Sequence, residues 1–116
     1  MEKNIEVSLL FDFYGELLKP SGRKATELYY NDDLSLAEIA AQTGITRQGV
    51  RDSIKRCEQQ LFDFEAKLGL LRQFQSLRQE LDEIAVIAEK IKTESQDDTI
   101  KKLAFEIEQK ASKLKE

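Results

Sequence analysis

Apolar residues recur along this chain at helical spacing almost from end to end, and the strict alternation of a half-buried strand is absent. Between Asn4 and Leu18 there are two stripes rather than one. Ile5, Leu9, Phe13 and Leu17 form the first, and Val7, Leu10, Phe11, Tyr14 and Leu18 the second, so this helix is expected to be covered on more than one side. Pro20 stops that helix and opens another, whose inward residues are expected to be Ala25, Leu28 and Tyr29. Asn31 to Asp33 reads as a polar turn.

The window from Leu34 to Arg56 has the pattern of a helix-turn-helix. Ser35 is a good N-cap and Glu38 follows three residues later, the spacing of a capping box, with Leu34 and Ile39 placed as the hydrophobic staple. Gly44 falls where a helix end favours a left-handed residue, so the turn is Thr43 to Ile45. Thr46 then caps a second helix. Its inward stripe is Val50, Ile54, Cys57 and Leu61, which leaves Arg47, Gln48, Arg51, Asp52 and Lys55 facing outward. An apolar stripe opposite an Arg- and Gln-bearing face suits a reader of the DNA major groove.

This helix is expected to continue through Leu61, Phe64 and Leu68 to a stop at Gly69. Beyond it Leu70, Phe74, Leu77, Leu81, Ile84, Ala88 and Ile91 are spaced alternately four and three apart, a heptad seam that needs a partner helix. TESQDDT, Thr93 to Thr99, is turn-forming, and Ile100, Leu103, Ala104, Ile107, Ala111 and Leu114 line one face of a last helix. An antiparallel hairpin or a four-helix bundle built from two chains would cover both stripes. The predicted organisation is a helix-turn-helix domain over 1–69 and a C-terminal extension over 70–116 that dimerises the chain or folds as a hairpin.

Composition narrows the chemistry. With 116 residues, 41% of them hydrophobic, the chain can bury a core, and a single Pro with five Gly favours helix nearly throughout. No apolar run approaches the length of a membrane span, and Glu2 and Glu6 stand where an export signal would be basic, so a cytoplasmic protein without membrane insertion is expected. The chain has no His, no phosphate-cradling Gly-rich loop and no nucleophile beside a base, which argues against an enzyme and against a cofactor. Asp32 with Asp33 and Asp97 with Asp98 lack the further ligands a metal would need and read as turn and cap residues. Cys57, the lone cysteine, reads as a small core residue.

The net charge of −4 argues against a strongly basic nucleic-acid coat, but the charges are unevenly spread. Within Thr46 to Arg56, Arg47, Arg51, Lys55 and Arg56 oppose only Asp52, a local +3. Such a patch can touch phosphates while the acidic remainder keeps non-specific affinity low. The expected site is therefore Arg47, Gln48, Arg51, Asp52, Lys55 and Arg56 on duplex DNA. Arg51 or Gln48 would reach base edges, and Lys55 and Arg56 would reach phosphates. Phe74, Leu77, Leu81, Ile84, Ala88 and Ile91 would hold a homodimer or a hairpin together.

LLFDFYGELLKP (Leu9 to Pro20), LYYNDDLSLAEIA (Leu28 to Ala40), TRQGVRDSIKR (Thr46 to Arg56) and FEAKLGL (Phe64 to Leu70) together resemble the YlxM family of small bacterial proteins. The resemblance covers roughly residues 5 to 75. It implies an all-α fold whose head is like region four of sigma factors, a wingless relative of the winged-helix DNA-binding class, with Arg47, Gln48, Arg51 and Asp52 where such domains place their contacting side chains. It also implies a regulatory role. Genes of the family commonly neighbour those of the signal recognition particle GTPases, which suggests a part in that pathway. The alternative reading is an adaptor that binds the particle's GTPase or RNA without sequence-specific DNA binding.

The chain departs from the family pattern at two places. Lys19, Pro20, Ser21 and Gly22 replace a usual Thr-Pro-Lys-Gln start, losing a cap and adding a helix-weakening glycine. Gly49 and Arg51 stand where Ala and Tyr are usual; the arginine favours DNA contact, and the glycine loosens the first turn.

Overall fold

The computed structural model describes residues 2–115. Among these the regular structure is all helical: α1 (Lys3–Tyr14), a single 3-10 turn (Gly15–Leu17), α2 (Pro20–Tyr30), α3 (Leu36–Thr43), α4 (Arg47–Leu68), α5 (Leu70–Glu94) and α6 (Asp98–Leu114). The chain divides between Leu71 and Arg72 into two compact units.

In the first unit α4 is the central element and packs against α1, α2 and α3. Val50, Ile54, Cys57 and Leu61, spaced four, three and four apart, are its buried residues. Val50 and Ile54 meet Ala25, Leu28 and Ile39 in one cluster; Cys57 and Leu61 meet Val7, Leu10, Tyr14, Leu18 and Leu71 in another. The first helix ends sooner than its apolar pattern predicts. It tightens at Gly15 and gives way to extended backbone at Leu18 and Lys19, as expected for the residue before a proline, whose ring disfavours helix there. Pro20 then occupies the first turn of α2.

Two inward assignments are corrected. The first stripe of α1 is covered only in part: Leu9 packs against the core, whereas Ile5, Phe13 and Leu17 stay 53%, 37% and 61% exposed, because α2 and α4 approach the helix from the other side. In α2 the buried residue beside Ala25 and Leu28 is Thr26, not Tyr29. Thr26 is buried completely because its hydroxyl donates to the Gly22 carbonyl at 2.8 Å, so no polar atom is left unsatisfied. Gly22 is also more than a weak point in the helix. A Cβ built there would lie 2.6 Å from Cys57 Sγ, so the glycine is what lets α2 approach α4 this closely.

Where α4 gives way to α5 the chain turns at Gly69, with a left-handed φ of 64°. The fully buried Tyr14 reaches this point from α1. Its hydroxyl donates to Glu65 Oε1 at 2.7 Å and accepts from the Leu70 N–H at 3.0 Å, while Glu65 Oε1 also accepts from the Leu71 N–H. Donors that open α5 are thus satisfied by side chains from earlier in the sequence.

The second unit contains α6 and most of α5, running antiparallel: Lys92 of α5 pairs with Glu108, and Lys115, just beyond α6, with Asp82. Asp97 caps α6 by accepting from the Thr99 and Ile100 N–H groups. Of the six seam residues only Leu81 and Ala88 are buried, as are Ala104 and Ala111 of α6; Phe74 is half-buried, and Leu77, Ile84 and Ile91 are 52%, 42% and 40% exposed. One partner helix covers only a narrow line and leaves a broader apolar stripe uncovered. At about 100° per residue, Leu77, Ile84 and Ile91 flank the Leu81–Ala88 line, and Ile100, Leu103, Ile107 and Leu114 flank the Ala104–Ala111 line. Antiparallel direction puts both flanks on one side of the hairpin. Lys92 and Glu108 lie toward the other.

Candidate nucleic-acid interface

The segment that carries the basic residues is fixed at both ends by short-range hydrogen bonds. Ser35 Oγ accepts from the Glu38 N–H at 3.1 Å and Glu38 Oε1 accepts from the Ser35 N–H at 3.0 Å, a reciprocal capping box that holds the Glu38 carboxyl below its usual range through the backbone hydrogen bond first. Gly44 ends α3 at φ 76° and its N–H bonds the Ala40 carbonyl. Thr46 Oγ1 accepts from the Gly49 N–H at 3.0 Å and starts α4. Three residues therefore turn the chain between two well-capped helices, and α4 emerges with its apolar stripe held in the core.

All six predicted contact residues are exposed, yet they do not share one face. Arg47, Arg51 and Lys55 recur every four residues and form a continuous row. Gln48 and Asp52 lie beside it and are joined to each other, Gln48 Nε2 donating to Asp52 Oδ1 at 3.0 Å, so reading a base with Gln48 requires releasing that bond. Arg56, nine residues after Arg47, projects roughly half a turn away from it around the helix. Among the described residues none of Arg47, Arg51, Lys55 and Arg56 forms an ion pair.

The row borders a cleft of about 310 Å³ that the sequence did not disclose, because its walls come from all four helices of the first unit. Arg51 and Lys55 form one wall, Tyr29 and Tyr30 another, with Lys3 and Asn4 from α1 and Leu36 from α3 completing it. Glu58 is the acidic group lining it, and both of its oxygens are engaged: Tyr30 donates its hydroxyl to Oε1, and Lys3 Nζ lies 3.3 Å from Oε2. Burial, reinforced by the hydrogen bond to Glu58, pushes the Tyr30 phenol well above its ordinary value, so it stays a donor. The paired tyrosines at 29 and 30 were the one available signal in the sequence.

These features define an all-α protein whose candidate site is an exposed basic helix row flanked by an aromatic cleft. Its family is shown by comparison. The chain belongs to the YlxM family: the family model described as "Putative helix-turn-helix protein, YlxM / p13 like" matches residues 1–115. It is similar to a UPF0122 protein of Clostridium botulinum (strain Alaska E43 / Type E3), 49% identical over 80 residues that cover 69% of this chain and 72% of the relative. A UPF0122 protein of Thermoanaerobacter sp. (strain X514) is 42% identical over 108 residues, 93% of this chain and 92% of its own. One from Geobacillus kaustophilus (strain HTA426) is 45% identical over 84 residues, 72% of this chain and 76% of its own. Among the described residues no helix is long and apolar enough to cross a membrane.

Proposed function

We propose that this protein is a helix-turn-helix regulator, its head like region four of sigma factors, that binds duplex DNA through α4 and acts as a homodimer. The observation that carries this reading is the unpaired row Arg47, Arg51 and Lys55, which starts at the capped N-terminus of a helix whose opposite side is locked in the core. Arg51, with its planar donor fork, suits a base edge, and Lys55 a phosphate. Arg56 joins only where a bent duplex reaches around the helix.

Dimerisation rests on the flank of the α5–α6 hairpin that carries Leu77, Ile84 and Ile91 beside Ile100, Leu103 and Ile107. A second copy laid face to face against it completes a four-helix bundle and covers Leu77, Ile84 and Ile91 together with Ile100, Leu103 and Ile107. Two heads on a two-fold axis then require half-sites about 34 Å apart, or a multiple.

Fluorescence anisotropy against duplex DNA at several salt concentrations tests the reading. A dimer neutralising about 6 phosphates gives a slope of log affinity on log salt near −5, and Arg47→Ala with Arg51→Ala makes it markedly shallower. A flat salt response refutes DNA binding. Sedimentation of Ile84→Lys, expected to be monomeric where the parent is dimeric, tests the bundle.

A second reading has its own support. The exposed apolar residues Ile5, Phe13 and Leu17 on α1 would dock the signal recognition particle's GTPase, making the protein an adaptor, and the basic face of α4 would meet its RNA. Under that reading Phe13→Ser abolishes binding to the purified GTPase, whereas Arg51→Ala leaves it intact.

A further inference from the structure

We infer that the cleft beside α4 receives one unstacked nucleotide of a single-stranded nucleic acid, its base against Tyr29 and its phosphate between Arg51 and Lys55. The inference rests on the nucleic-acid reading above and deepens it by naming the form of substrate that the cleft selects.

The cleft's volume of about 310 Å³ falls at the lower end of sites that enclose small molecules. That is room for a single base and its sugar-phosphate rather than for a stacked pair. Tyr29 is 37% exposed and stands nearly perpendicular to Tyr30, ring centroids 5.0 Å apart at 85°, so the neighbouring ring holds it while leaving aromatic surface open at the cleft. Stacking on such a ring is the sequence-tolerant way in which proteins hold bases of single strands. Leu36 and Ile54 supply apolar contact at the lining, and the Asn4 carboxamide offers both a donor and an acceptor for a base edge.

The charges are arranged for the other end of the nucleotide. Glu58 would repel a phosphate if it were free, but Lys3 and Tyr30 occupy its two oxygens. Arg51 and Lys55 are left without an ion pair, four residues apart on the same side of α4, so the uncompensated charge at the cleft is positive. An aromatic wall beside two unpaired cations is the combination expected of a nucleotide site and not of an apolar peptide groove. A base inside a duplex reaches such a cleft only after leaving the stack, which costs energy that a loop, bulge or melted strand does not pay.

The test uses the full chain and three probes of one sequence carrying a fluorescent adenine analogue: single-stranded DNA, single-stranded RNA and duplex DNA. Tyr29→Ala is expected to weaken single-strand binding by about 5- to 100-fold, to abolish the fluorescence change of the analogue, and to leave duplex affinity unchanged. Tyr29→Phe keeps the ring and is expected to bind like the parent, which separates stacking from loss of fold. Equal effects on DNA and RNA indicate that base and phosphate alone are held; an effect confined to RNA adds the ribose hydroxyl. Undiminished single-strand binding by Tyr29→Ala, with Arg51→Ala still impaired, overturns the inference and leaves the basic row standing. Failure of the parent protein to bind any of the three probes overturns both.

Discussion

Gly22→Ala poses a contest between two effects of known sign. At an ordinary helix position the change is stabilising by about 1 kcal/mol, because alanine loses less backbone entropy on folding. Here the new methyl would sit 2.6 Å from Cys57 Sγ and 3.4 Å from Ser53 Oγ, the first well inside van der Waals contact. Cys57 is only 4% exposed, and swinging its thiol aside removes it from the cluster it shares with Val7, Leu10 and Leu61. Overpacking of this kind costs about 1–3 kcal/mol, so the net effect is a loss of about 0–2 kcal/mol. The discriminating experiment is the cycle with Cys57→Ala. Once the sulfur is gone, Gly22→Ala should stabilise by close to its full helix-propensity gain, giving a coupling of about 1–3 kcal/mol between the two sites. Denaturant titration followed by tyrosine fluorescence reads the first unit alone, because the chain has no Trp and all three tyrosines, Tyr14, Tyr29 and Tyr30, belong to that unit. A coupling under about 0.5 kcal/mol, the level seen for independent sites, would refute the close-approach argument.

Gly44→Ala meets no neighbour within 4 Å, so its cost is conformational alone: φ of 76° penalises an L side chain by about 1–2 kcal/mol, while Gly44→Asn should cost less in the same denaturation assay. Ser35→Ala removes the acceptor of the capping box and should lower stability by about 1 kcal/mol, while by NMR the Glu38 titration moves up only in part, because the Ser35 backbone N–H that is the larger cause of its depression is retained. In the hairpin, the hydrogen bonds from Lys115 to Asp82 and from Lys92 to Glu89 hold both carboxyls below their usual values. A depressed pKa contributes stability that is complete above the unfolded-state value and disappears as pH falls through the folded one. Far-UV circular dichroism of the parent should therefore show helix loss on acidification that is shallower in an Asp82→Asn, Glu89→Gln variant.

Local chemistry was legible in the sequence wherever a structural feature is made by neighbours along the chain. Ser35 with Glu38, Gly44, Thr46, Gly69 and the stripe Val50, Ile54, Cys57 and Leu61 all act where the pattern placed them. What the pattern could not give was how many sides of an amphipathic helix find a partner. Ile5 and Val7 are equally apolar, and only the arrangement of α2 and α4 decides that one is exposed and the other buried. The same limit applied to Leu77, Ile84 and Ile91, whose heptad spacing asks for burial without saying from which chain. Gly22 read as a helix defect because helix propensity is a local quantity, whereas the thiol it accommodates lies 35 residues later. The cleft lay out of reach for that reason too: Lys3 and Glu58 meet only after α1 and α4 have packed.

The hydroxyl of Tyr14 at the α4–α5 turn bears on the order in which this chain assembles. Gly69 alone is a weak stop, since one glycine within a helix costs only about 1 kcal/mol. The groups that satisfy the first amides of α5 include one 56 residues away in sequence. Contacts of such separation form late, after the intervening chain has been ordered. A nascent chain, or a fragment lacking α1, is therefore expected to hold the α4–α5 turn only through Gly69 and the Glu65 carboxylate, and docking of α1 adds the Tyr14 hydroxyl that fixes it.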